Sequence, residues 1–167
     1  MRTAVALGSN LGDRLANLRA AHQSIVNLPN VKAPVLASGI YETDPVGCEP
    51  GAGKFLNAVI EFHYHGEPFD LLKELREIER ALGRPPNHPR NRSRKIDIDI
   101  LYIDDIKIDT AALRLPHPRM HEREFVLRPL ADIRPDLILP GQTRKVRDLI
   151  AQIGGVEKAV RIKPPLG

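Results

Sequence analysis

Apolar and polar positions along the chain divide it into short alternating elements. Thr3 to Leu7 is an apolar run that reads as a buried strand, broken by Gly8-Ser9-Asn10-Leu11-Gly12-Asp13. Leu15, Leu18, Ala21, Ile25 and Leu28 then recur at helical spacing, which predicts an amphipathic helix over 13–28 with Asp13 or Asn10 as its cap. Residues 35–43 predict a strand closed by Asp44-Pro45. The stretch 44–54 holds two prolines and three glycines and predicts a loop. Phe55 to His65 predicts a second strand, antiparallel to 35–43 through that loop. Pro68 opens a helix carried by Leu71, Leu72, Leu75, Ile78 and Leu82, with Gly83 as its stop signal. A basic loop over 83–95 precedes a β-branched strand, Ile96 to Ile103, which turns at Asp104-Asp105. A short strand over 106–108 is expected next, then loops and short helices punctuated by prolines, with a helix over 146–153.

The order β-α-β-β-α-β predicts an α+β fold: a ferredoxin-like sandwich in which helices cover one face of a largely antiparallel sheet. At 167 residues and 42% hydrophobic content the chain suits one domain spanning 1–167, with an aliphatic core because Trp is absent. The single cysteine, Cys48, excludes an intramolecular disulfide. No signal-like N-terminus and no apolar run near the ~20 residues of a bilayer span is present, so a cytoplasmic protein without a membrane partner is expected. A monomer is expected.

The formal charge is +4, from 25 basic and 21 acidic residues. That excess suits a nucleic acid or a small polyanion such as ATP equally well. Distribution narrows the choice. Arg84, Arg90, Arg92, Arg94 and Lys95 crowd one segment, and Arg114, Arg119, Arg123 and Arg128 form a looser group. Directly after the first group comes Ile96-Asp97-Ile98-Asp99-Ile100. Strand side chains alternate faces, so Asp97 and Asp99 share one face while the isoleucines point to the core. Their Cα atoms stand about 6.6 Å apart, close enough for the side chains to share metal ions. Hard oxygen ligands select Mg²⁺, which retains waters and phosphate oxygens. The same pattern also describes a strand that is merely polar outside and apolar inside. Asp is disfavoured in strands, however, and two of them beside a basic loop match what a Mg-nucleotide needs.

The turn at 8–13 lacks both the Walker ending and the three-glycine dinucleotide fingerprint. His63 and His65 share a strand face but have no third ligand nearby and read as a strand end; His22 reads as a surface residue of its helix.

Taken in order, several short motifs resemble the hydroxymethyldihydropterin pyrophosphokinase family over about residues 8–130. They are Gly8-Ser9-Asn10, Tyr41 to Gly47, Phe55-Leu56-Asn57-Ala58, Glu79 with Gly83-Arg84, Arg94 to Leu101, and Leu115-Pro116-His117-Pro118 leading to Arg123-Glu124-Phe125-Val126-Leu127. The resemblance implies transfer of pyrophosphate from ATP to 6-hydroxymethyl-7,8-dihydropterin, in folate synthesis. It implies that Asp97 and Asp99 hold two Mg²⁺ ions, with Arg94 beside them in catalysis. Asn57 would bond the pterin amide edge, helped by Thr43 and Val46, and Phe55 and Phe125 would stack on its ring. Arg94, His117 and Arg123 would meet the triphosphate, with Glu79, Arg84 and Ile100 also at the nucleotide. The loops 44–54 and 83–95 would close over the substrates.

The chain departs from the family where Arg-Trp-Gly-Pro-Arg is usual; here the run is Arg90-Asn91-Arg92-Ser93-Arg94. Pro118 replaces a common Tyr, and Phe55 an aromatic that is often Tyr. The alternative reading is a ferredoxin-like RNA-binding module. It needs an aromatic platform on the sheet, whereas the motif strand here is acidic, so no nucleic-acid partner is expected.

Overall fold

The computed structural model describes residues 1–45, 49–83, 95–153 and 159–163. Among these residues there are eight strands, β1 (Arg2–Ser9), β2 (Val31–Ala37), β3 (Ile40–Thr43), β4 (Phe55–Tyr64), β5 (Asp97–Ile103), β6 (Ile108–Asp109), β7 (Arg114–Leu115) and β8 (Val160–Lys163), and four α-helices. The helices are α1 (Arg14–Val26), α2 (Pro68–Ala81), α3 (Glu124–Ile133) and α4 (Val146–Ile153).

The main sheet runs β5-β1-β4-β3-β8, with β2 also paired to β4, and every pairing is antiparallel. The first four strands in that order reproduce the expected ferredoxin-like arrangement. β6 and β7 make a separate two-stranded ribbon.

Local chemistry accounts for the element ends. The Asp13 carboxylate accepts the backbone N–H of Ala16 at 3.1 Å and caps α1. Pro68 stands at the first turn of α2, where its missing N–H costs nothing. Gly83, at φ +108°, ends that helix in a conformation other residues rarely adopt.

Three expectations are corrected. The single strand over 35–43 is two, β2 and β3, both paired to β4. Between them the Ser38 N–H donates to the Val59 carbonyl and the Ser38 hydroxyl accepts the Val59 N–H, while the Gly39 N–H turns to donate to the Asp132 carboxylate at 2.9 Å. The glycine turn begins later than expected, because Gly8 and Ser9 remain in β1, paired on both sides or one. Helices also cover both faces of the sheet rather than one. α1 and α2 close a core built on Val5, Leu7, Ile60, Phe62, Ile98 and Ile100. On the opposite face α3 and α4 close a second cluster over Ala4, Val59, Leu101 and Tyr102.

The second layer is anchored by one buried acid. Glu61, 2% exposed, accepts a two-pronged pair from Arg134 at 2.7 and 3.0 Å and the Tyr102 hydroxyl at 2.7 Å. No helix among the described residues is long and apolar enough to cross a membrane.

Candidate active site

Strand register aligns four residues across the sheet. Gly8 of β1 pairs with Asp97 of β5 on one side and Asn57 of β4 on the other, and Asn57 pairs with Tyr41 of β3. Directly paired residues share a face, so Asp97, Asn57 and Tyr41 project together. One step along, Ala6 pairs with Asp99 and Val59. Strands lie about 4.8 Å apart, which sets Asp97 and Asn57 about 10 Å from one another. Between them the floor is glycine and alanine. A Cβ on Gly8 would stand 3.2 Å from the Asn57 side-chain oxygen and 3.6 Å from the Phe55 ring. The missing side chain therefore keeps a trough open between the acids and the amide.

At the acid end, Asp97 and Asp99 are half-buried and alternate with buried Ile96, Ile98 and Ile100, as the pattern predicts. Asp99 holds its proton well above the usual carboxylate range, to about 8. Burial is the main cause and the neighbouring Asp97 charge the next. Two carboxyls close enough to hydrogen-bond thus resist carrying two negative charges at once in the bare protein. A hard divalent cation fits that donor set. Among the described residues no group of three or more His, Cys, Asp or Glu side chains is arranged to hold a metal. Waters and phosphate oxygens would have to complete the coordination, which is the habit of Mg²⁺.

At the amide end, the Asn57 side-chain nitrogen donates to the Thr43 hydroxyl at 2.7 Å, and both residues are buried. That bond fixes the amide's orientation and leaves a donor and an acceptor directed along one edge. Phe55 lies on the same face, two residues before Asn57 and level with Thr43. Phe125 sits in the first turn of α3, half-buried against the second core cluster.

A basic residue lies over Phe125. The Arg123 guanidinium lies 5.4 Å from the centroid of the Phe125 ring, a cation–π arrangement. Its Nε is buried without a hydrogen-bond partner among the described residues, which suits an anion. His117 is half-buried, and its backbone N–H donates to the Leu101 carbonyl at 2.8 Å. Burial first and the Arg123 charge second lower the pKa of its imidazole, while the Asp97 charge acts the other way. His117 lies within electrostatic reach of both Arg123 and Asp97.

The remaining expected site residues divide. Glu79 is buried, and its carboxylate accepts the Ile98 N–H at 2.9 Å. Ile100 points its side chain into the core on the face away from the aspartates. Val46, Arg84 and Arg94 lie outside the described residues, as do Arg90, Arg92 and Cys48. His63 lies at the end of β4 and His65 just beyond it, and neither belongs to a metal-binding group among the described residues. His22 is half-buried, not a surface side chain, with a buried Nε2. Two contributors went unread in the sequence. Gly8 is the floor of the trough; a glycine inside a strand was the available signal. Arg76 bonds the backbone beside the acids and carried no signal at all.

The model of the 7,8-dihydro-6-hydroxymethylpterin-pyrophosphokinase family matches residues 4–135. The 2-amino-4-hydroxy-6-hydroxymethyldihydropteridine pyrophosphokinase of Bacillus subtilis is 45% identical over 129 residues, covering 77% of this chain and 75% of that protein. The protein of the same name from Methylorubrum extorquens is 38% identical over 159 residues, covering 94% and 98%. Among solved structures, a Plasmodium falciparum HPPK-DHPS with pterin and p-hydroxybenzoate superposes with a TM-score of 0.71 at 16% identity. That match covers 90% of this chain but 42% of the other, so the chain spans less than half of that larger protein and shares the fold of one part. The matched stretch runs from the first strand through α3 and contains the trough with the described residues around it. On that ground the chain belongs to the 7,8-dihydro-6-hydroxymethylpterin-pyrophosphokinase family.

Proposed function

We propose that this chain transfers pyrophosphate from ATP to 6-hydroxymethyl-7,8-dihydropterin, giving AMP and the pterin diphosphate in folate synthesis. The carrying observation is the single sheet face that sets a pair of carboxylates about two strand spacings from an oriented, buried amide. A flat heterocycle whose amide edge meets Asn57 and whose ring lies between Phe55 and Phe125 would direct its hydroxymethyl arm along the trough. Its oxygen attacks the β-phosphorus of ATP, the bond from that phosphorus to the α-phosphate bridging oxygen breaks, and AMP leaves. The hydroxyl proton passes to solvent.

Reactions of this kind depend mainly on positioning and on charge stabilisation. Arg123 and His117 would meet phosphate oxygens; the buried Arg123 Nε, without a hydrogen-bond partner among the described residues, supports this reading. Arg94 and Arg84 are assigned to the same task by their place in the family motif. Asp97 and Asp99 would hold two Mg²⁺ ions, whose charge would offset that on the triphosphate. A monomer working in the cytoplasm is the simplest setting for this chemistry.

The RNA-binding alternative is not favoured. The family match covers most of the chain, and the aromatic rings on this sheet face stand beside Asp97 and Asp99, whose acidity disfavours a phosphate backbone.

The test is formation of AMP and pterin diphosphate from ATP and the dihydropterin, followed by chromatography. Turnover should require Mg²⁺ and should fall about 100- to 1,000-fold or more in Asp97→Ala or Asp99→Ala, the scale at which electrostatic stabilisation is lost. ADP in place of AMP, or full turnover in either variant, would refute the assignment.

A further inference from the structure

Among the described residues β5 is the outermost strand of the main sheet, with a neighbouring strand on one side only. Exposed edges normally leave backbone N–H and C=O groups without partners. At Ile98 both groups are taken by side chains of α2. The Ile98 N–H donates to Glu79 Oε2 at 2.9 Å, and the Ile98 carbonyl accepts from Arg76 Nη1 at 3.1 Å. The same Arg76 nitrogen donates to Glu79 Oε1 at 2.7 Å. Glu79 is 1% exposed, and its helix is locked into the core by Leu71, Leu75 and Ile78. Arg76 and Glu79 thus form a closed clip on one residue, doing what a further strand would do.

The clipped residue is the one between the two acids. Whatever sets the Ile98 backbone sets the Cα positions of Asp97 and Asp99 and the spacing of their carboxylates. We propose that Arg76 and Glu79 are positioning residues that hold β5 at Ile98 so that Asp97 and Asp99 keep the separation required for cation-assisted pyrophosphate transfer. This rests on the reading of Asp97 and Asp99 as cation ligands. Neither Arg76 nor Glu79 needs to touch substrate to act in this way. A bond to an ionised acceptor is also stronger than a strand-to-strand bond between neutral groups, which suits a fixed spacing better than a frayed edge. Outer partners that orient ligands typically change cation affinity or activity by about 10- to 100-fold when lost.

The experiment compares the full chain with Glu79→Gln, Arg76→Ala and Arg76→Lys. Backbone amide exchange is read by NMR on the metal-free protein. Mg²⁺ half-saturation is read by calorimetry with a non-hydrolysable ATP analogue, and kcat and KM come from the AMP assay. Exchange at Ile98 should rise about tenfold or more in Glu79→Gln and Arg76→Ala, while core amides such as those of Val59 and Phe62 stay unchanged. Mg²⁺ half-saturation should rise about tenfold, and kcat should fall more than KM changes. Arg76→Lys, a partly exposed position that keeps the charge, should recover part of each effect. Unchanged Ile98 exchange and Mg²⁺ half-saturation would overturn the proposal, as would a uniform rise at all amides, which marks general destabilisation. Should Glu79→Gln fail to fold, the two Arg76 variants give the same readings. Asp97→Asn separates the layers. If it leaves Mg²⁺ binding intact, the ligand reading has failed; if it abolishes binding that the clip variants leave untouched, only the positioning role has failed.

Discussion

Asp97 and Asn57 stand level on one face of the sheet, each paired in register with Gly8 from opposite sides. The relation makes Gly8 the residue most sensitive to added bulk. Gly8→Ala would place a methyl 3.2 Å from the Asn57 oxygen, and Asn57 is pinned by Thr43 and has little room to yield. Pterin affinity should drop about tenfold, a loss of about 1.4 kcal/mol, with ATP affinity much less affected. Separate titrations of the two ligands check this; equal losses for both would remove Gly8 from the pterin end.

Asp99 should cost the bare protein stability. Its carboxyl binds a proton more tightly when folded than the ordinary value of 3.8, chiefly through burial and then through Asp97. The folded state is therefore favoured by this group at low pH, and that contribution is lost as pH rises from about 4 through about 8. Asp99→Asn, which removes the charge, should raise the melting temperature of the metal-free chain at pH 8 by about 2–4 °C and abolish turnover. The gain should shrink at pH 5. Scanning calorimetry at the two pH values with chelator present decides it.

Arg134→Ala tests the anchor of the second helical layer. It leaves Glu61 buried with only the Tyr102 hydroxyl and the distant Arg2 as partners. Breaking a buried pair from one side costs about 3–5 kcal/mol, and the partly exposed Arg134 brings that down to about 2–3 kcal/mol. Urea denaturation should show that loss, and Arg134→Ala combined with Glu61→Gln should recover part of it.

The three tyrosines give a clean alkaline test because the chain has no Trp. Burial first and the Asp132 hydrogen bond second push Tyr41 up to about 12. Tyr64 is pushed to about 12 by burial and then by the Glu74 charge. Tyr102 is also raised, by burial and its bond to Glu61. The stability these neutral phenols supply is full below pH 10 and lost as pH climbs toward 12. Tyrosinate absorbance should appear together with the loss of circular dichroism. Ionisation of even one tyrosine near pH 10 in a chain still folded would contradict the buried assignments.

The alternation of Ile96, Asp97, Ile98, Asp99 and Ile100 was readable because face selection in a strand is a local, period-two property. The same holds for α1 and α2, whose apolar spacing and end residues lie within a few positions of each other. Asn57, Phe55 and Phe125 were reached through the family motif; their mutual placement was not. The break at Ser38-Gly39 escaped notice because its cause, the carboxylate of Asp132, lies 93 residues away. α3 and α4 were not expected to cover the second face, since nothing in a helix's own pattern says which surface it will meet.

By itself the sequence determined the β-α-β-β-α-β order of the principal elements through β5, that both acids share one face of β5 and the family to which the motifs point, all of which depend on neighbouring residues. The tertiary structure alone decided that Gly8 separates the acids from Asn57, that α2 clips the backbone at Ile98 and that Arg123 lies over Phe125. Strand order and helix docking join residues far apart in the chain. They are selected by how well the whole core closes, and no local period encodes that.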